Sequence, residues 1–474
     1  MSIVANQKFN IRPLNAKNEY SFRYSGGNIV FQFSNNPLLM LDPNTLRLNA
    51  TVRLLQGNST LGANPAAADE GRPNNHQELA GVVGAGGTGT VSVAPKKDIT
   101  TTSRCAAPSI FNTVTITNNN DVMIEQMRNY GRALSTILPM TASQHDYNSH
   151  MNIHYGCFGA RATAQDVANN MDISVAMPIR TALLASGRFL SLGSLNGLKL
   201  HFNIGADAST LFGDDAGEAG GAFVQLTNVS LSGTYKVLDQ PIPMNKAGFQ
   251  YNAYSSYQSI INSSSNTANV NFNMQNVMSV WNNTIPVSYL NNYGFDSFAN
   301  YPLIKDQNTK DPVSCFIKDT VITRNSVKFP NDYQIDERLI VDQSNTAAAA
   351  RYTPNDTLRL YNWINAVKTF PTLNSTLISL STEGLGSASD NPPISADKDL
   401  AVNSLNAVQA NRLAGYGVRI DMTNSNTGIS FAQASYAQRL DSTLDTGTDP
   451  NANYTFVLAK NQMMVNPAGI VVNA

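Results

Sequence analysis

SIFNTVTITNNNDVMIEQMRNYGRALSTIL, Ser109 to Leu138, changes its hydrophobic period partway along. It begins as a strand, with Ile110, Val114 and Ile116 on one face and Phe111, Thr113, Thr115 and Thr117 on the other. Asn118, Asn119, Asn120 and Asp121 then predict a turn, because short polar side chains bond the local backbone and tolerate left-handed conformations. A second short strand follows with Val122 and Ile124. After it the apolar spacing becomes helical, with Met127, Tyr130, Leu134, Ile137 and Leu138 on one stripe. The reading is a β-hairpin that feeds straight into an amphipathic helix. Whether that unit recurs decides the fold.

Working outward, the upstream run NIVFQF alternates, and TLRLNATVRLL places Leu46, Leu48, Ala50, Val52 and Leu54 on one face. Downstream, GLKLHFNIG and FVQLTNVSLSGTYKVL read as strands, and LDQPIPMNKAG as a linker. Past the linker the order repeats. YQSIINS and ANVNFNMQNVMSVW are strand-like, the latter alternating through Val270, Phe272 and Met274. A second hairpin, TVITRNSVKFPNDYQI, precedes a second helix expected in PNDTLRLYNWINAVKTF, with Leu358, Tyr361, Ile364, Val367 and Phe370 on its stripe. Asp356 after Asn355 supplies capping chemistry for that helix. GYGVRIDM, GISFAQASYAQRLDSTL and NYTFVLAKNQMMV close the chain as strands. Long loops are expected at 56–103 and 371–411. Two halves of about 220 residues thus share one architecture, a β-sandwich with one flanking helix and long excursions, with poor identity between them. The expected divisions are an N-terminal arm over 1–18, a first sandwich over 19–240 and a second over 241–474.

Composition narrows the function. Of 474 residues only 14% are charged, against about a quarter in ordinary domains, while hydrophobic content is 42%. Asn, Ser and Thr replace the missing charge, which suits many strands joined by many turns. A net charge of -1 argues against a general nucleic-acid binder, which needs a basic face. The mild exception is the arm, where Lys8, Arg12 and Lys17 precede the first acid, Glu19. The arm shows no alternation, so it is expected outside the first sandwich, facing a neighbour, the interior of an assembly or a nucleic acid. Three cysteines, Cys105, Cys157 and Cys315, imply a reducing compartment and no disulfide framework. Neither a secretory leader nor a membrane-spanning run is visible, so a soluble chain is expected.

Few residues invite chemistry. GAGGTG, Gly84 to Gly89, satisfies a dinucleotide-binding spacing, but TVSVAPKK follows it where the chemistry needs a helix N-terminus, so it reads as a loop. His145, His150, His154 and Cys157 offer metal-ligand types, yet no general-base Glu lies between His150 and His154, and Asn148, Asn152 and Gly156 weaken any helix. DDAGEAGG, around Asp214, matches no Ca²⁺ loop and reads as a hairpin tip. Trp281 and Trp363 lie in apolar runs and read as core residues rather than sugar platforms. No nucleophile elbow, Walker motif or Cys pair is present. The expectation is therefore a protein that is not an enzyme, with no catalytic, cofactor-binding or metal residues, no cofactor and no small-molecule substrate.

The ordered motifs resemble the double jelly-roll major capsid proteins of DNA viruses, of the polinton-like virus, virophage and nucleocytoplasmic large DNA virus type. SIFNTVTITNNNDVMIEQMRNYG resembles that family's first hairpin and helix, and LLMLDPNTLRLNATVRL its early strand pair. LGSLNGLKLHFNIG with VQLTNVSLSGTYKVL is similar to the strands closing the first jelly roll. SVKFPNDYQI and NYTFVLAKNQMMVNPAG resemble elements of the second. The resemblance implies an all-β fold of two tandem jelly-roll sandwiches, each with a short flanking helix and long loops. It also implies homotrimers that act as pseudo-hexameric tiles of an icosahedral shell. Their partners would be neighbouring capsomers, penton and minor capsid proteins, and their location the virion, after assembly in the cytoplasm or nucleus of a host cell. The competing expectation is a carbohydrate-binding or adhesive β-protein, such as a viral fibre or tail component.

Overall fold

The structure is a computed structural model, and it describes residues 2–16, 19–21, 27–55, 107–141, 173–205, 223–243, 248–261, 267–272, 277–286, 316–324, 327–329, 335–336, 366, 415–419, 434–441, 451–466 and 469–473. Two compact units divide the chain: Met1–Ser135 with His145–Ala247 and Asn291–Phe295, and Thr136–Gln144 with Gly248–Leu290 and Asp296–Ala474.

Among the described residues the first unit holds ten strands: β1 (Ile3–Ile11), β2 (Glu19–Ser21), β3 (Gly27–Phe33), β4 (Leu39–Leu55), β5 (Phe111–Thr117), β6 (Met123–Arg128), β7 (Ile173–Pro178), β8 (Leu190–Ser191), β9 (Leu198–Ile204) and β10 (Phe223–Leu238). They form two antiparallel sheets, β1-β10-β4-β7 and β3-β9-β5-β6, with β2 added beside β10 and β8 beside β4. Without those two short additions, the eight remaining strands taken in chain order are arranged 1-8-3-6 and 2-7-4-5. This is the jelly-roll arrangement of two interlocked Greek keys. Alternation builds its core. Ile29, Phe31 and Phe33 on β3, Val114 and Ile116 on β5, and Leu198, Leu200, Phe202 and Ile204 on β9 are all buried. Phe33 carries the contact between the sheets, with its ring 5.6 Å from Phe9 on β1 and 6.4 Å from Tyr235 on β10.

The second unit holds β11 (Phe249–Ile261), β12 (Thr267–Phe272), β13 (Val277–Pro286), β14 (Phe316–Arg324), β15 (Val327–Phe329), β16 (Ile335–Asp336), β17 (Gly415–Arg419), β18 (Ala434–Asp441), β19 (Asn451–Asn466) and β20 (Gly469–Asn473). Its sheets are β11-β19-β13-β17 and β12-β18-β14-β15, with β16 beside β14 and β20 beside β19. Removing those two additions gives 1-8-3-6 and 2-7-4-5 again. The hairpin β5–β6 and the hairpin β14–β15 both occupy places 4 and 5, so the opening hairpin recurs at the same point of the same topology. The described core of this unit is aromatic. Trp281, fully buried, lies 5.8 Å from Phe456, which stacks on Tyr254 at 5.8 Å.

The structure corrects three expectations. The N-terminal arm does not lie outside the first sandwich: it is β1, registered antiparallel against β10 from Ile3↔Leu238 to Ile11↔Leu231. Alternation missed it because β1 is an edge strand, exposed along both faces as far as Lys8, and a period-two pattern marks only strands that bury one face. Met127 belongs to β6 rather than to the helical stripe, and the helix itself spans Tyr130–Thr141. LLMLDPNTLRLNATVRL is not a strand pair but one long strand, β4, irregular at Asp42–Thr45. There the Asn44 N–H bonds Asp42 Oδ1 at 3.3 Å, and Thr45 Oγ1 donates to the Asp42 carbonyl at 2.8 Å. A separate bulge at Asn228 (φ 52), between the pairs Thr227↔Thr51 and Ser230↔Asn49, moves the buried positions of β10 from Leu226 to Val229 and Leu231. The helix expected within 354–370 lies outside the described residues apart from Ala366, which is helical and buried.

Candidate functional site: the hairpin–helix unit and the exposed edge

Asparagine chemistry closes the hairpin. Asn118 Oδ1 accepts the N–H groups of Asn120 at 3.0 Å and Val122 at 2.9 Å, and the Asn118 N–H bonds the Val122 carbonyl. Asp121 follows at φ 62, its carboxylate paired with Lys199 on β9 at 2.7 Å. That exposed pair holds the Asp121 carboxyl below its ordinary range, through the Lys199 hydrogen bond first and its charge second. Asn119 Nδ2 donates to the Phe33 carbonyl at 3.2 Å, and Asn35 Nδ2 to Asn196 Oδ1 at 2.6 Å, so the turns at this end of the four-stranded sheet are laced together. The Asn-rich composition is spent on such local bonds.

The step from strand to helix is a single residue. Asn129 takes a left-handed conformation (φ 52), and its carbonyl accepts the Ala133 N–H at 2.9 Å, the first helical bond. This corner puts two polar groups into the interior, one from each side of it. Glu125, on β6 and 4% exposed, takes the Leu183 N–H on its two carboxylate oxygens at 3.2 and 3.1 Å. The Thr181 hydroxyl and the Ala182 N–H bond the same carboxyl. Tyr130, fully buried, accepts the Arg180 N–H on its hydroxyl at 3.1 Å. Both reach the segment around the one-turn helix Ala182–Ala185, whose N-cap, Thr181, accepts the Leu184 N–H on its side chain. Burial raises the Glu125 carboxyl to about 7, against the lowering effect of its three donors. Buried, Glu125 joins β6 to the segment around the one-turn helix. The guanidinium-bearing residues Arg132 and Arg180 are buried in the neighbouring segments.

The sequence held only a partial signal for this node. Thr181 ahead of an apolar run is a legible cap, but a lone acid in VMIEQM gives no hint of burial.

Exposed apolar side chains lie elsewhere. Ile3 (49%) and Val4 (61%) stand on the edge strand β1, and Met123 (56%) stands at the hairpin. At the same end of the six-stranded sheet as Ile3, Phe189 is 40% exposed, with the Lys236 ammonium 5.6 Å above its ring. Of the arm's cations, Lys8 lies on β1 and Arg12 directly after its end, while Lys17 lies outside the described residues. So do Gly84 to Gly89, His145, His150, His154, Asp214, Trp363 and the cysteines Cys105, Cys157 and Cys315. Trp281 is fully buried, as a core residue should be. Among the described residues no cluster of His, Cys, Asp and Glu could hold a metal ion, and no helix is long and apolar enough to cross a membrane.

No protein-family model matches the sequence, and no curated protein does. Solved structures match over almost the whole chain. A quasi-atomic model of the PBCV-1 virus capsid superposes with a TM-score of 0.50 at 10% identity, covering 99% of this chain and 96% of that one. The Faustovirus major capsid protein matches with a TM-score of 0.50 at 8% identity, over 98% and 90% of the two chains. At such identities the shared property is the fold.

Proposed function

We propose that this chain is the major capsid protein of a DNA virus, a homotrimer whose six jelly rolls form a pseudo-hexameric tile of an icosahedral shell. One observation carries the reading. Two eight-stranded sandwiches of the same 1-8-3-6 and 2-7-4-5 topology follow one another in one chain, and that chain aligns almost end to end with the PBCV-1 capsid and Faustovirus proteins. We take residues 239–248 as the boundary between the two jelly rolls, which lies between the end of β10 and the start of β11. Three copies around an axis supply six similar wedges, and a closed ring follows from cyclic symmetry.

The chemistry of the described residues fits a building role. The buried acid is engaged by backbone donors, and the polar side chains of the hairpin serve turns. On this reading the protein is not an enzyme. Its partners are neighbouring capsomers, penton and minor capsid proteins, and it resides in the virion after assembly in a reducing host compartment. Negative-stain electron microscopy of the purified protein tests the proposal. Pseudo-hexagonal particles about the width of one trimer are expected, whereas elongated fibres or single sandwiches would favour an adhesive β-protein.

A further inference from the structure

We propose that Asn196 is the deamidation site of this chain, and that the fold gates the reaction: it proceeds only when the turn from Ser191 to Gly197 opens. The inference does not depend on the capsid reading. Asn196–Gly197 is the one Asn-Gly pair in the 474 residues. The chemistry selects that pair. The backbone nitrogen of the following residue attacks the side-chain amide carbon, and glycine has no side chain to hinder the approach. A bond forms between Gly197 N and Asn196 Cγ, the Cγ–Nδ2 bond breaks, and ammonia leaves with the proton of the Gly197 amide. Water then opens the five-membered ring at either of its carbonyls. The product is aspartate or, with the backbone rerouted through the side chain, isoaspartate.

The folded turn holds both reactants away from this path. Two successive residues are left-handed, Asn196 at φ 57 and Gly197 at φ 76. The Gly197 N–H donates to the Leu192 carbonyl at 2.7 Å, and the Asn196 N–H to the Gly193 carbonyl at 3.1 Å. This nested pair of bonds closes a helical turn on a left-handed residue, a conformation that Asn tolerates. The nucleophile is therefore the donor of the closing bond, and it must give up both that bond and its proton before it can attack. Nor is the Gly197 peptide free to swing. Gly197 is buried, and a Cβ added to it would lie 2.7 Å from the Phe33 carbonyl oxygen and against the Asn119 side chain. The electrophile is tied as well. Asn196 Oδ1 accepts Asn35 Nδ2 at 2.6 Å, and the Asn196 carbonyl accepts the Asn119 N–H at 3.4 Å. A donor on Oδ1 also draws electrons from the amide carbon, which favours attack. The hold outweighs the pull, because no attack can begin until the closing bond breaks. The native rate is then the rate of the unfolded chain multiplied by the fraction of open turns. Isoaspartate adds one atom to the backbone between the two left-handed residues, so that product should not re-form the closing bonds.

Peptide mass spectrometry on the full chain tests the gate, with one sample kept in native buffer and one in guanidinium chloride at the same mildly alkaline pH. The tryptic peptide Phe189–Lys199 holds Asn196 as its one side-chain amide, so the site is read without ambiguity. In guanidinium this peptide should deamidate faster than any other, and in native buffer at least about tenfold more slowly than in guanidinium. Equal rates overturn the gate, and a different asparagine leading in guanidinium overturns the assignment. Asn35→Ala separates holding from activation. The variant should deamidate at Asn196 several-fold faster than the wild type in native buffer, and at the wild-type rate in guanidinium. A native rate that is unchanged or slower overturns the gate. Its denaturation curve shows whether the variant is folded. Should it fail to fold, the wild-type comparison decides alone: a native rate at least about tenfold below the guanidinium rate supports the gate, and a smaller difference overturns it.

Discussion

The ring of Phe9 stacks on the ring of Tyr235 with centroids 4.2 Å apart and planes 24° from parallel. Phe9 also meets Phe33 edge-on at 5.6 Å, so one residue of the N-terminal strand touches both sheets of the first jelly roll. Gly233 makes the fit possible, since a Cβ there would come within 2.7 Å of the Phe9 ring. The strand is also tied at its start, where the Ser2 N–H and hydroxyl bond the two oxygens of Asp239 at 2.8 and 3.0 Å.

Removing residues 1–12 should therefore destabilise the first unit instead of leaving it intact. Phe9→Ala should cost roughly 2 kcal/mol, below the range for a fully buried Phe because Phe9 is partly exposed. Chemical denaturation of the full chain measures it. A deletion that melts like the parent would show that β1 contributes nothing to the sandwich.

Tyr130→Phe keeps the buried ring and removes the hydroxyl that accepts the Arg180 N–H. Leaving that buried donor without its acceptor should cost about 1–3 kcal/mol. The loss should be seen in the denaturation midpoint and in faster exchange of the Arg180 amide. An unchanged midpoint with unchanged exchange would mean that the bond does not hold the segment.

Gly197 has φ 76, and a Cβ there would lie 2.7 Å from the Phe33 carbonyl oxygen and press on the Asn119 amide. Gly197→Ala should destabilise the first unit by more than about 1 kcal/mol, because both the backbone conformation and the close approach resist a side chain. Ser194→Ala, in the same turn, loses only the bond that the Ser191 hydroxyl donates to Ser194 Oγ, keeps the one from the Ser194 N–H, and should cost less. Equal midpoints for the two variants would contradict this.

In the second unit, Trp281→Ala removes the largest fully buried side chain from the cluster with Tyr254 and Phe456. The expected cost is about 3–5 kcal/mol. A cost under about 1 kcal/mol would mean that Trp281 is a replaceable surface platform and not core.

Much of this was legible in the sequence wherever a strand buries one face. Leu46, Leu48, Ala50 and Val52 alternate and are buried, and LKLHFNI is buried at every second position. Legibility failed where backbone bonding replaced burial, as in β1, whereas β10 was read as a strand despite the bulge at Asn228. Met127 was misplaced because it sits three residues before Tyr130, a spacing compatible with a helical face, while the left-handed Asn129 separates the two. The polar node was hidden for a different reason. Glu125 and Leu183 are 58 positions apart, and nothing local announces that a charged residue will find its partner in the interior.

The mass of the native protein in solution tests the central claim most directly. Light scattering with size separation, at micromolar concentration and with reductant present, should give about 154 kDa, three times the chain mass of 51.2 kDa. The trimer should persist through dilution, as obligate oligomers with large apolar interfaces do. A stable monomer or a dimer would contradict the capsid account and favour an adhesive β-protein built on the same two sandwiches.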